Sequence, residues 1–499
     1  MLARVTSAAI QGITALVVQV EVDIANGFPG FHLVGLPDAA VQEARERVRS
    51  ALKNSGFSFP QQRITVNLAP ADIRKEGPAF DLPIALGILA ASGQLPPESL
   101  GDVLVCGELS LDGGVRHVAG GIAIALGARA QGYRRVFLPP ATGPQAAIVS
   151  ELAVYAPASL AEAAALLRGD LALPQVDPGE GVPPPMPQVD LAEIKGQAHA
   201  RRALEIAAAG GHNLSLMGPP GSGKTMLAQR LPTILPALSS AEALEVTQVH
   251  SVAGVIPPGC GLVRHRPFRS PHHSVSDAGL IGGGSVPRPG EVSLAHCGVL
   301  FLDEAPEFRR SALEALRAPL EDGQVTIARA QASLTYPARF SLVLAWNPCP
   351  CGFFGDLVRQ CSCSPGARAR YLSRLSGPLL DRIDLHLEVP RVGEPELLSS
   401  TPGEASAVVG ERVKRARARA ETRQGKPNAS LMVAELRRHC LLGPGPESLL
   451  REAVRVLGLT ARGCHRLLKL ARTIADLASE EHLGEAHLAE AITYRPRLG

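Results

Sequence analysis

The feature that most restricts what this chain can fold into is the octapeptide Gly218-Pro219-Pro220-Gly221-Ser222-Gly223-Lys224-Thr225. It fits G-x-x-x-x-G-K-[ST] throughout. A strand-like stretch, His212 to Met217, precedes it, and a helix-compatible stretch, Met226 to Leu231, follows it. Such a loop works only where a strand delivers it and a helix leaves it. Its backbone N–H groups must converge on phosphates at a helix N-terminus. The chain is therefore expected to contain an α/β core with a parallel sheet. Lys224 is placed to reach β- and γ-phosphates and Thr225 to ligate Mg²⁺, so ATP and Mg²⁺ are the expected cofactors. A chance glycine turn is the alternative, and the strand–loop–helix context argues against it.

Two further strand-like runs end in groups that hydrolysis needs. Val299 to Leu302 leads into Asp303 and Glu304. Asp303 suits Mg²⁺ through water, and Glu304 suits polarisation of the attacking water. Leu342 to Trp346 ends in Asn347, whose amide can orient that water, the role termed sensor 1. Arg382, within Gly377 to Asp384, is the candidate arginine finger, stabilising charge on a neighbouring subunit's nucleotide. The spacing equally allows an ordinary ion pair with Asp381 or Asp384. Arg462 opens a helical pattern after Leu459-Thr460-Ala461 and is the candidate sensor 2.

A chain of 499 residues exceeds what one hydrophobic core supports, so several domains are expected. Pro174, Pro178, Pro183, Pro184, Pro185 and Pro187 mark residues 173–189 as a semi-rigid linker. It separates residues 1–172 from a nucleotide core at 190–394 and an almost wholly helical region at 395–499. Within 1–172, Asp38 to Lys53 reads as a helix capped by Asp38, with Val41, Ala44, Val48 and Leu52 on one face. Ile194 to Ala209 reads as another helix. Near the N-terminus Val18, Val20, Val22 and Ile24 alternate with Gln19, Glu21 and Asp23, which is strand periodicity rather than a signal peptide. No run reaches the roughly 18 apolar residues of a membrane span. The chain is expected in the cytoplasm, without a membrane partner. Its net charge of +3 excludes a polycation, so any nucleic-acid contact must come from local basic groups.

Cys349-x-Cys351 and Cys361-x-Cys363 lie on a loop after the Asn347 strand. Four thiolates suit tetrahedral Zn²⁺, although C-x-C is tighter than the common C-x₂-C. Free or redox-active thiols are the alternative. Four protein ligands would leave no open position, which argues against a catalytic metal.

Three segments carry a resemblance to a known family: Arg266 to His273, Pro289 to His296, and Val299 to Glu304. Together they resemble the magnesium-chelatase-like AAA+ ATPases of the YifB/ComM type. The resemblance implies a multidomain α/β fold. Its parts are a Lon-protease-like N-terminal domain, an AAA+ parallel-sheet P-loop core with the cysteine insertion at 349–363, and a C-terminal α-helical lid. It further implies a homo-oligomeric, hexameric ring that acts on single-stranded and branched DNA without sequence preference. The activity implied is that of an ATP-driven helicase promoting branch migration in recombination and natural transformation. The rival readings are a magnesium-chelatase-type motor subunit and another AAA+ remodeller that does not act on DNA.

Lys75-Glu76-Gly77-Pro78-Ala79-Phe80 resembles the Lon nucleophile segment, but Ala79 stands where the serine would be. The segment after Gly120-Gly121, where the Lon lysine would fall, is Ile122 to Ala125 and offers no amine. A Ser–Lys pair needs both, so an ATP-dependent protease is not expected. Val325 to Tyr336 reads as two strands around a polar tip and resembles the presensor-1 hairpin of minichromosome maintenance helicases. That likeness makes Arg329 the candidate DNA contact, against an ordinary exposed arginine. Arg412, Arg415, Arg419 and Arg423 share one helical face, either a phosphate contact or a solvated or subunit-facing stripe.

Overall fold

The computed structural model describes residues 1–495 apart from 73–74, 76, 184–188, 285–286, 330–331, 357 and 399–401, and the backbone alone at 39, 329, 332 and 397–398. The alternation near the N-terminus produces a long antiparallel hairpin, Leu2–Gln11 against Thr14–Ala25, with Leu2 opposite Asp23 and Gln11 opposite Thr14. Val18, Val20 and Val22 are fully buried on its inner face. The hairpin centres a mixed sheet ordered Gly30–Val34, Arg63–Ala69, Thr14–Ala25, Leu2–Gln11, Val103–Val105, Arg135–Phe137, Ala153–Tyr155. Helix Asp81–Ala91 is apolar all round apart from Asp81, and every residue of it is buried. It packs so closely on the hairpin that a Cβ on Gly87 would meet Val22 Cγ2 at 2.6 Å. Asp81 is tolerated there because Arg47 donates to both its oxygens, at 2.6 and 3.0 Å. Burial nonetheless pushes its carboxyl up to about 6, against the pull of Arg47.

The second body is a five-stranded parallel sheet. Its order is Phe268–Arg269, Val299–Leu302, Ser341–Trp346, Leu214–Met217, Leu385–Glu388. The inner strands Val299–Leu302 and Ser341–Trp346 are near-continuous apolar runs, as parallel strands covered on both faces must be. Val299–Leu302 is buried throughout. Between two of these strands the hairpin Gln324–Arg329 and Ala332–Pro337 stands as a separate two-stranded ribbon.

Helices Ser406–Gln424, Val433–His439, Pro444–Leu457, Ala461–Leu477 and Glu485–Thr493 form the C-terminal part. A buried polar chain fastens them to the sheet. His212 bridges Asp384 (3.0 Å) and Thr473 (2.8 Å), and Asn428 donates to Thr473 (3.1 Å) and Asp476 (2.8 Å). Asp476 also accepts from Arg423 at 2.7 Å and Arg472 at 3.1 Å. Asp384 and Asp476, the two carboxylates of this network, are both partnered, which is the condition for charge to be tolerated at this depth.

Several expectations shift in detail. The helix predicted from Asp38 to Lys53 is two, Ala39–Gln42 and Ala44–Asn54, restarted by a turn at Glu43. Asp38 does accept from the Val41 amide (2.8 Å), and Val41, Ala44, Val48 and Leu52 are fully buried. The helix predicted from Ile194 begins only at Ala198, because Gly196 and Gln197 hold left-handed backbone, φ +61° and +47°. The described part of the proline-rich segment, 173–183, touches both bodies. Val176 N–H donates to Val154 O (2.8 Å) and Val182 bridges Val263, so it is laid along both bodies. Pro184, Pro185 and Pro187 lie outside the described residues, as does Glu76. Among the described residues no helix is long and apolar enough to cross a membrane.

Candidate functional site

Parallel sheets bring the C-terminal ends of neighbouring strands to one edge, and loops leaving that edge make the natural site. Here the strand Leu214–Met217 delivers residues 218–225, Val299–Leu302 delivers Asp303 and Glu304, and Ser341–Trp346 delivers Asn347. Gly221 and Gly223 take φ +78° and +90°, which turn the loop into helix Lys224–Ile234. Gly218 lies against the Val389 carbonyl with no room for a Cβ.

The side chains converge by direct hydrogen bonds. Lys224 Nζ donates to Gly218 O (2.8 Å), Pro219 O (2.9 Å) and Asn347 Oδ1 (3.1 Å). Burial lowers the Lys224 pKa, against the pull of Asp303 and Glu304. Thr225 Oγ1 donates to Asp303 Oδ2 at 2.8 Å, bringing together the two oxygens expected at Mg²⁺. Glu304 follows in left-handed backbone, φ +51°, its amide donating to Asp303 Oδ1 at 2.9 Å.

Three supporting residues escaped sequence reasoning. Gln197 Nε2 donates to Ser222 O (2.7 Å), pinning the loop from the segment before its strand. Tyr371 is held beside the Asn347 backbone, and burial pushes its phenol up to about 12. His273 Nδ1 lies 3.5 Å from Glu304 Oε2. Neither Gln197 nor Tyr371 belongs to a local pattern, so spacing alone offered no signal. His273 lay inside a segment already noted, Arg266 to His273, but without a role.

The candidate arginines are elsewhere. Asn213, the residue before the phosphate-loop strand, donates to Arg382 O at 3.0 Å. Arg382 therefore sits at the N-terminal edge of the sheet, roughly 13 Å of strand from the phosphate loop. Its guanidinium pairs with Glu321 and bonds Pro378 O, rather than pairing with Asp381 or Asp384 as its sequence neighbours suggested. Those two acids are engaged by Arg466 and His212. Arg462 is exposed at the start of helix Ala461–Leu477. Arg382 and Arg462 line one cavity of about 1250 Å³ with Arg266, Arg466 and Lys469.

The cysteine loop adjoins the site. The Cys349–Cys351, Cys349–Cys361 and Cys351–Cys361 sulfurs are 3.3, 3.6 and 3.6 Å apart, and all four sulfurs lie within 4.8 Å of one another. A tetrahedral S₄ site with bonds of about 2.3 Å separates its sulfurs by roughly 3.8 Å, so the donor set fits one such ion. A Cβ on Gly352 would meet Pro220 Cδ at 2.6 Å, so this loop rests on the phosphate loop. A second cluster, Glu245, His296 and Cys297, is satisfied without an ion. His296 Nδ1 accepts from the Arg339 amide (3.0 Å), Nε2 faces Glu245 (2.9 Å), and Arg339 pairs with the same carboxylate.

Arg329 ends the first hairpin strand, and its side chain is outside the described residues. Of the predicted arginine stripe, Arg412 pairs with Glu205 and Glu404 and Arg423 with Asp476, while Arg415 and Arg419 are exposed. Ala79 packs against the cluster that contains Ile122 and Ile124.

Comparison with known proteins covers nearly the whole chain. Residues 190–397 match the family described as magnesium chelatase, subunit ChlI. Residues 20–142 match subunit ChlI of Mg-chelatase, and 403–495 match the C-terminal part of that subunit. The chain is 47% identical to the uncharacterized protein YifB of Escherichia coli K12, over 97% of this chain and 95% of the relative. It is 46% identical to the competence protein ComM of Haemophilus influenzae, over 99% and 97%. A weaker likeness, 30% identity over 26% of this chain and 16% of the relative, is to Lon protease 2 of Thermus thermophilus.

Proposed function

The chain belongs to the YifB/ComM type of magnesium-chelatase-like proteins, and from that premise we propose that it is an AAA+ ATPase that works as a hexameric ring to remodel DNA. The observation that carries the ATPase reading is the hydrogen-bonded convergence of Lys224, Thr225, Asp303 and Asn347 at one sheet edge. ATP and Mg²⁺ would supply the scissile phosphate bond and the charge that neutralises it. Lys224 and the loop amides would hold the phosphates, Thr225 and Asp303 the cation, Glu304 the water's proton, and Asn347 the water's orientation.

Assembly follows from where the arginines lie. Arg382 and Arg462 are at the opposite sheet edge from their own phosphate loop, so they would serve a neighbour's nucleotide. The Arg382–Glu321 pair has one open side, Glu321 being 55% exposed and Arg382 13%, so a neighbour's γ-phosphate would take the place of Glu321 on the guanidinium. Residues 1–172 are read as a Lon-like domain without peptidase activity, 173–189 as the connector, 190–394 as the motor and 395–499 as the lid. The four cysteines would hold one structural Zn²⁺.

DNA as the substrate is favoured by the likeness to a competence protein and by the hairpin that carries Arg329 directly before the Asn347 strand. The reading is branch migration by a sequence-indifferent ring in the cytoplasm. Its test is ATP turnover with and without single-stranded and four-way-junction DNA, and movement of that junction. Stimulation that weakens steeply with salt is expected. Arg329→Ala should lower stimulation by all sequences alike while basal turnover persists. A wild-type protein indifferent to DNA would overturn the reading. It would favour a chelatase-type motor subunit, for which the ChlI matches speak.

A further inference from the structure

The turn of the N-terminal hairpin carries an apolar residue where water would be expected. Gln11 and Thr14 pair across it, Gly12 takes φ +64° as the first residue of a two-residue turn, and Ile13 follows. Turn tips are dominated by Gly, Pro, Asn, Asp and Ser. Ile13 is instead half-buried, and its cover comes from outside the N-terminal body. It packs against the cluster of the second body that contains Val325, Ile327 and Tyr336. Gln248 Nε2 donates to its carbonyl at 2.6 Å. A Cβ on Gly12 would lie 3.8 Å from Leu334 Cδ2 and 3.9 Å from Thr335 O, ordinary van der Waals distances, so the turn rests on the strand Ala332–Pro337.

The ribbon it touches needs support. Gln324–Arg329 and Ala332–Pro337 form a sheet of their own with two strands, and such a ribbon is marginally stable by itself in water. Alternation puts Val325, Ile327, Leu334 and Tyr336 on one face. Val325, Ile327 and Tyr336 are buried there, and Leu334 is half-buried. The other face carries Thr326 and Thr335, exposed hydroxyls 3.1 Å apart. The pair Ile327–Leu334 is two positions from the pair Arg329–Ala332. The N-terminal turn thus meets the inner face of the ribbon at the last inner pair before Arg329.

The turn is anchored from behind. Its hairpin continues as ten pairs through the middle of the seven-stranded sheet, where Val5, Val18, Val20 and Val22 are fully buried. The N-terminal body is seated on helix Ser240–Ala253 by buried hydrogen bonds. Ser251 Oγ donates to Gln145 Oε1 at 2.6 Å, and the Gly120 amide donates to Ser251 O at 3.0 Å. Gln145 and Ser251 are each 2% exposed. Leu244 of the same helix packs against the cluster of Ile122, Ile124 and Val136. Gln248 also lies on this helix, so one element holds both the N-terminal body and the tip of its hairpin.

We propose that the N-terminal body is a prop for the ribbon: the Gly12–Ile13 turn, clamped by Gln248, holds strand Ala332–Pro337 so that the end carrying Arg329 is ordered before single-stranded DNA arrives. The proposal rests on the DNA reading of this protein. A ribbon ordered in advance spares binding the cost of ordering it. Ile13 and Gln248 act through the ribbon and are positioning residues. Residues 1–172 thereby have a mechanical task that needs no nucleophile at Ala79.

The test is hydrogen exchange and DNA binding of the full chain with Ile13→Ser, Ile13→Leu and Gln248→Ala. In Ile13→Ser the backbone amides from Ala332 to Tyr336 should exchange at least tenfold faster than in wild type, with those of strand Ser341–Trp346 unchanged. Affinity for fluorescein-labelled single-stranded oligodeoxythymidine, read by anisotropy, should fall at least fivefold, while basal kcat and KM for ATP stay within twofold. Gln248→Ala should move exchange and affinity in the same direction. Ile13→Leu, which refills the contact, should stay within twofold of wild type in both. Gel filtration and a thermal melt confirm that each variant is assembled and folded, and Gln248→Ala carries the test if Ile13→Ser is not. Unchanged exchange in the ribbon of a folded variant overturns the prop. So does unchanged affinity beside faster exchange, or an Ile13→Leu that behaves like Ile13→Ser. If wild type binds no DNA, the DNA reading falls, and exchange from Ala332 to Tyr336 still decides whether the turn props the ribbon.

Discussion

Lys224 and Glu304 stand a short distance apart and are expected to fail differently. Lys224 is nearly buried and its ammonium is shared between two loop carbonyls and Asn347. Lys224→Ala removes the charge that grips phosphate, so nucleotide binding should be lost in a fluorescent-nucleotide titration. Glu304→Gln keeps shape and hydrogen-bonding capacity but not basicity. It should bind ATP normally and turn it over about 10²-fold or more slowly. Normal turnover by this variant would remove Glu304 from its role. A second residue-scale expectation concerns pH. Burial pulls the His386 pKa down to about 4, and that of His250 to about 4 as well. Both folded values lie below the ordinary value of about 6.5, so the unfolded chain binds more protons. Stability is then full above pH 6.5 and falls as pH drops toward 4. His386→Gln, able to keep the bond to Ser215 Oγ seen at 3.0 Å, should lose part of that slope in thermal melts between pH 7 and 4.5. Parallel melting curves for variant and wild type would refute it.

Among the elements, the cysteine loop is the one whose integrity bears most directly on catalysis. It leaves the Asn347 strand, gathers four sulfurs, and presses Gly352 onto Pro220. Protein never exposed to chelator should carry about one zinc per chain by metal analysis. Cys351→Ser should lose that metal and lower kcat, by up to about 10²-fold if Asn347 shifts by 1 Å, while KM changes less. A metal-free protein with full activity would return these residues to free thiols. The hairpin shows the opposite balance. Its pairing from Gln324 opposite Pro337 to Arg329 opposite Ala332 was legible as two strands around a polar tip. Its packing against Leu280 and Gly282 was not, because that contact joins residues about fifty positions apart in the chain.

For the molecule as a whole, the decisive question is whether one chain is a complete enzyme. The phosphate loop and Arg382 lie at opposite edges of one sheet. The buried chain from His212 through Thr473 and Asn428 to Asp476 fixes the C-terminal helices to the Arg382 edge. Arg382→Ala and Lys224→Ala chains should therefore each be inactive alone and regain part of the ATPase when mixed, since mixed rings contain some intact interfaces. Full activity in a dilute monomer, measured by mass photometry beside the assay, would rule this out.

The phosphate loop, the two acids and the strand ending in Asn347 were readable from sequence, because each is a local pattern whose chemistry depends on spacing of a few residues. The apolar runs that announce parallel strands are local in the same sense, and the N-terminal hairpin was visible as alternation. Where the helix expected from Ile194 starts was misread, because left-handed backbone at Gln197 answers to the distant carbonyls of Ser222 and Pro390. Arg382's partner was not legible for a related reason: Asp381 and Asp384, the alternative the spacing offered, are near in sequence, but they are engaged by Arg466 and His212 while Arg382 pairs with Glu321. The sequence by itself determined which groups this chain carries and which strand ends present them. Tertiary packing alone decided which edge each group faces and that His273 lies against Glu304, because those facts depend on strand order and long-range burial rather than on neighbours in the chain.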